Sequence, residues 1–130
     1  MILALCADDK LGLQFNHRRQ SRDRAVISDL LENAGTLWIH PFSEKLFLHG
    51  SGIEMDENFL ALAGEDDWCF VEDTAYLEYT DRIKRIILYR WNRVYPRDMV
   101  FEFPGEWKLV QSSEFCGSSH EKITREVYIQ

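Results

Sequence analysis

The first seven residues, Met-Ile-Leu-Ala-Leu-Cys-Ala, contain no polar side chain and are closed off by Asp8 and Asp9. So short and so apolar a run has the length of a strand, and with no basic leader it reads as a buried first strand and not as a secretory signal. Residues 8–16 follow as a turn and loop around Gly12. The period then changes: Ile27, Leu30, Leu31 and Ala34 fall at i, i+3, i+4 and i+7, one apolar stripe of a helix. Asp23 stands at its start, where a carboxylate accepts unpaired amide hydrogens, and Gly35 ends it. Residues 36–40 read as a second strand and residues 41–47 as a short helix with Pro41 in its first turn. Residues 55–64 read as another helix, with Asp56 as cap and Gly64 as stop, and residues 67–73 as a third strand. Residues 82–91 are the strongest β segment, centred on Ile86, Ile87 and Leu88. Val100 alternates with Phe101 and Phe103 before Pro104, and residues 106–115 and 123–130 close the chain as two more strands. Helices interleave with the early strands and extended segments dominate the end. That order predicts an α/β fold, one domain over residues 1–130, with a mixed β-sheet flanked by helices, parallel early and antiparallel at the C-terminus.

The bulk of the sequence excludes several function classes. With 130 residues, 45% of them hydrophobic, the chain can bury one real core and is not disordered. No apolar run approaches the roughly 20 residues that cross a bilayer. Cys6, Cys69 and Cys116 are odd in number and widely spaced, which fits three buried thiols of a cytoplasmic protein rather than a disulfide framework or zinc site. His17, His40, His49 and His120 show no metal-ligand spacing, so no metal is expected. The Gly50-Ser51-Gly52 connector lacks the Lys-Ser/Thr of a phosphate loop.

The net charge is −7, and residues 46–81 hold ten carboxylates without one Lys or Arg. Such a block repels nucleic acid and suits either a solvated face or a basic protein partner. Against it stands Asn16-His17-Arg18-Arg19-Gln20-Ser21-Arg22-Asp23-Arg24, four arginines in nine positions. Arg18, Arg19 and Arg22 can meet phosphate or carboxylate oxygens as guanidinium forks, or can pair with the acidic block as surface ion pairs. Trp91, Asn92, Arg93, Tyr95 and Asp98 lie in a connection between strands, where polar and aromatic groups recognise ligands or simply pack a turn. Residues 116–122 put Ser118, Ser119 and His120 side by side. Adjacent Ser and His make poor nucleophile–base geometry without a third group from elsewhere, so a turn is the expectation there.

The C-terminal segments carry a family resemblance. Asp98, Phe101, Phe103 and Pro104, then Trp107, then Val127 and Tyr128 resemble the closing strands of dihydrofolate reductase. The first strand followed by Gly12 and Asn16 is similar to that family's opening strand and loop. The resemblance implies a cleft in which Asp23 occupies the place of the substrate-binding carboxylate, with Asn16, Ser43 and the arginines nearby. It departs from the family where NADPH is bound. Residues 40–45 replace the Gly-Arg-x-Thr and leave only Ser43, and residues 70–76 replace the Gly-Gly turn. NADPH is therefore a cofactor that the fold allows but the motifs do not support. The expectation is a small anionic or nucleotide-like ligand in such a cleft, with Asp23 aiding any proton transfer or reduction. The alternative is a non-enzymatic acidic interaction protein, of the size of bacterial or phage inhibitor, immunity or accessory proteins, that binds a basic partner.

Overall fold

The computed structural model describes residues 1–48 and 50–130; His49 lies outside the described residues. Its centre is β1 (Ile2–Ala7), which pairs in parallel with two later strands, one on each side. Alternation along β1 divides the interior. Leu3, Leu5 and Ala7 enter one apolar cluster, and Ile2, Ala4 and the partly buried Cys6 enter the other. A strand covered on both faces has no polar side, which is why the opening run is apolar throughout.

β2 (Gly12–Phe15) and β3 (Arg18–Arg19) form a hairpin inside a separate small sheet. α1 (Arg24–Asn33) leads to β4 (Leu37–Ile39), and a 3₁₀ segment over Pro41–Phe47 leads to β5 (Ile53–Met55). α2 (Phe59–Leu62) precedes β6 (Trp68–Phe70), and a second 3₁₀ segment, Ala75–Arg82, precedes β7 (Arg85–Arg90). β8 (Met99–Val100) completes the small sheet in the order β3-β2-β8, before β9 (Lys108–Phe115) and β10 (Ile123–Ile129). The main sheet has seven strands in the order β5-β4-β6-β1-β7-β10-β9. Pairing is parallel from β5 to β7, and β10 runs antiparallel to both β7 and β9. The mixed sheet with an antiparallel C-terminal end is the architecture expected from the order of segments.

Three local expectations are corrected. Residues 8–16 are not all loop, because β2 finds partners in β3 and β8. The helix expected over residues 55–64 shrinks to one turn. Ile53–Met55 is drawn onto the free edge of β4, and the Asp56 Oδ1 then accepts the Asn58 amide at 2.7 Å, so helix begins only beyond it. Cys116 is exposed, whereas Cys69 is buried and Cys6 half-buried. The α1 stripe is also rotated slightly: Val26 and Leu30 are fully buried while Ile27, Leu31 and Ala34 pack at its margin. No helix among the described residues is long and apolar enough to cross a membrane.

Candidate functional site

The arginine-rich segment is a tight hairpin. Asn16 and His17 both have positive φ, 53° and 62°, the backbone pattern of a type I′ turn, with Phe15 opposite Arg18 and Gln14 opposite Arg19. Alternation then sends the two arginines to different places. Arg19 turns inward: its Nε donates to Glu72 Oε1 at 2.7 Å and its Nη2 to Glu72 Oε2 at 3.0 Å, and the guanidinium lies 5.0 Å from the centroid of the Phe42 ring. Ser43, buried, donates to the same carboxylate at 2.7 Å. Arg19 is thus neutralised by the acidic block, and Ser43 serves that pair.

Arg18 and Arg22 are exposed and, among the described residues, have no carboxylate within ion-pair distance. Together with His17, Arg19, Ser21 and Phe42 they line an open concavity of about 470 Å³. Asn16 stays at the hairpin tip, its amide bonded to Asp98 Oδ2 at 3.0 Å.

Asp23 lies deeper. It caps α1, accepting the Ala25 amide at 2.9 Å on Oδ1. The same oxygen accepts the Ser118 amide at 2.9 Å and the Ser118 hydroxyl at 3.0 Å. Oδ2 accepts the Ser119 amide at 2.8 Å and His120 Nδ1 at 2.9 Å. Burial works to raise the Asp23 pKa, but bonds from the Ser118 amide, the His120 ring and the Ser119 and Ala25 amides outweigh it and hold the carboxyl well below the usual range. Its side chain is 0% exposed. Residues 117–120 can wrap it this closely because a Cβ on Gly117 would stand 2.6 Å from Asp23 Oδ2.

His120 continues the chain of contacts. Its ring stacks on Trp91 at 4.7 Å, and its Nε2 meets the Tyr95 hydroxyl at 2.9 Å and the Ser21 Oγ at 3.1 Å. Tyr95 is positioned in turn by buried Asp8, whose carboxylate accepts the Tyr95 and Gly12 amides at 3.0 and 2.8 Å. Asp23 thus belongs to this His120 network and Arg19 to the Glu72–Ser43 cluster. Trp91 belongs to the Asp23 side as the wall behind His120. Asn92 instead ties strand ends together, donating to the Lys122 carbonyl at 3.0 Å and to Thr124 Oγ1 at 2.9 Å. Asn92 and Arg93 border a concavity of about 600 Å³ that Trp91, Ser119 and His120 also line.

No family model matches the sequence, and no curated protein sequence matches it either. A solved structure does: dihydrofolate reductase from Enterococcus faecalis complexed with NADP(H) and RAB-propyl, with a TM-score of 0.67 over 99% of this chain and 95% of that one, at 11% identity. The fold is dihydrofolate reductase-like. The likeness runs the length of the chain, so it includes the middle segments in which the sequence shows no family motif.

The two segments that replace the family's NADPH motifs come together in this dihydrofolate reductase-like chain. His40 and Ser43 from one, and Glu72 and Asp73 from the other, line a concavity of about 250 Å³ completed by Glu57 and Glu78. Among the described residues four carboxylates and no Lys or Arg border it, so a dinucleotide diphosphate does not fit there. The space between Cys6, Asp23, Val26 and Phe70 is also closed, at about 20 Å³. That is room for one water and no organic ligand. Ser21 and Asp8 carried no signal in the sequence; Tyr95 stood out only as part of the connection after Trp91 and Glu72 only as part of the acidic block, because their specific roles come from partners far along the chain. His120 and Asp23, 97 residues apart, supply to each other the third group that residues 118–120 lack on their own.

Proposed function

We propose that this protein binds a small anionic ligand in the open concavity beside the β2–β3 hairpin, held by Arg18 and Arg22. The observation that carries the reading is charge accounting. Of the three candidate arginines, Arg19 is consumed by Glu72, while Arg18 and Arg22 face a concavity of about 470 Å³ that no acid lines among the described residues. Planar guanidinium forks in that position match phosphate or carboxylate oxygens. The ligand therefore sits outside the closed inner cleft, and Asp23 acts behind the site. Thermal denaturation with inorganic pyrophosphate, mononucleotides, folates and NADPH tests it. A saturable rise in melting temperature with a phosphate or carboxylate anion, lost in the Arg18→Ala/Arg22→Ala protein, is the expected result. No shift with any anion in the series overturns the reading.

A second reading has its own observation. Glu57, Asp73 and Glu78 stand exposed around the acidic concavity, a surface suited to a basic protein partner. A partner bound there is released by salt and by Glu57→Lys/Glu78→Lys, and is indifferent to Arg22→Ala. Retention at high salt, or loss with Arg22→Ala, excludes that face.

A further inference from the structure

We infer that Ser21, His120 and Asp23 form a nucleophile–base–orienter relay, and that Ser21 opens an ester or similar acyl substrate in the arginine-bordered concavity. Two segments remote in sequence, residues 21–23 and His120, converge on it. Asp23 Oδ2 meets His120 Nδ1 at 2.9 Å, and His120 Nε2 meets Ser21 Oγ at 3.1 Å. The carboxylate faces Nδ1, so the ring carries its proton there and leaves the Nε2 lone pair toward the Ser21 and Tyr95 hydroxyls; general-base activation requires that Ser21 take that lone pair when substrate is bound. Burial is graded in the direction chemistry needs. The Asp23 and His120 side chains are 0% and 2% exposed, whereas Ser21 is half-buried and lines the concavity shared with Arg18 and Arg22. Stacking on Trp91 and edge contact with Tyr95 fix the ring plane. A histidine serving packing alone has no need of two hydroxyls on one nitrogen, one of them at the surface.

The step balances without a cofactor. Ser21 Oγ forms a bond to the acyl carbon as its proton passes to His120 Nε2, the carbon–oxygen bond to the leaving alcohol breaks, and that alcohol takes the proton. Water, deprotonated by the same nitrogen, then releases the acid and restores Ser21. Ser21 and His120 are the catalytic residues, and Asp23 is a positioning residue. The nucleophile stands on its own geometry; the preference for an anionic substrate rests on the ligand reading above.

The test is a neutral alkyl fluorophosphonate, which forms a phosphorus–oxygen bond with an activated serine and expels fluoride. We expect one adduct per chain on Ser21 by intact mass and peptide mapping, absent in Ser21→Ala and in heat-denatured protein, and slowed at least 100-fold in His120→Gln. In wild type the labelling rate reaches a plateau with rising pH. In Asp23→Asn the amide favours the other ring tautomer, and the rate climbs with hydroxide instead, a change that loss of packing does not produce. No adduct, an adduct elsewhere, or equal labelling of folded His120→Gln overturns the relay; Ser21→Ala, at a half-exposed position, guards against misfolding as the explanation. Protection by pyrophosphate bears only on the anion: labelling that pyrophosphate does not slow removes the anionic preference and leaves the relay standing.

Discussion

Asp23 shows how one side chain can organise a site without facing it. Four of its five bonds join the start of α1 to residues 118–120, so this one carboxylate, with the Arg24 amide on Ser118 Oγ beside it, holds the loop between β9 and β10 against the helix. Since its pKa is lowered in the folded state, its contribution to stability is complete above the ordinary carboxylate value of 3.8 and is lost as the pH falls below it. Asp23→Asn is expected to cost about 3 kcal/mol in urea unfolding at pH 7, because an amide cannot accept all five donors. The gap to wild type narrows as the pH falls from 4 to 2; a constant gap means that the carboxylate is not what the loop needs. Gly117→Ala perturbs the same contact from the other side. The new Cβ meets the His120 carbonyl oxygen at 2.5 Å and Asp23 Oδ2 at 2.6 Å. The expected cost is about 1–3 kcal/mol, with Tyr95 and His120 amide resonances shifted in an NMR spectrum.

Among the elements, the β2–β3 hairpin and α1 decide what the surface presents. The hairpin fixes the register that turns Arg19 toward Glu72 and leaves Arg18 outside. Its turn holds a non-glycine residue, His17, at a φ of 62°. Asn-Gly is the favoured pair for such a turn, so His17→Gly is expected to stabilise the protein by about 1 kcal/mol, read as a higher urea midpoint at unchanged m-value. A lower midpoint would mean that the imidazole contributes more than its backbone costs. α1 is tied from a second side, where Tyr89 and Arg125 both donate to Asp29 Oδ2, at 2.7 and 2.8 Å. The apolar period of α1, the run of β1 and the strands of the C-terminal half were legible in the sequence because local patterning decides them. β5 was not. Met55 read as the first residue of a helix and residues 53–54 as no element, and only the open edge of β4 makes the three a strand. The site was legible to the same limited degree. Composition marked the arginine segment, but which arginine Glu72 takes depends on a pairing across 53 residues, and nothing near Ser21 announces His120.

For the molecule as a whole, a net charge of −7 opposes any anion approaching from a distance, while Arg18 and Arg22 attract one at close range. Glu72 stands between these effects. Its side chain, 9% exposed, lines the acidic concavity and cancels Arg19, which lines the arginine-bordered one, so the pair marks the seam between the two. Glu72→Gln keeps the shape and the hydrogen bonds to Arg19 and Ser43 in part, yet removes one negative charge from the seam. A unit charge at about 7 Å in water is worth ~0.6 kcal/mol, or a factor of about 3 in affinity. Titration calorimetry with inorganic pyrophosphate in 50 mM salt is therefore expected to show about threefold tighter binding to the variant. In 500 mM salt, where the screening length falls to about 4 Å, most of that gain disappears. A variant that binds pyrophosphate no better at low salt would place the anion away from Arg19 and Glu72. The field that admits the ligand would then belong to Arg18 and Arg22.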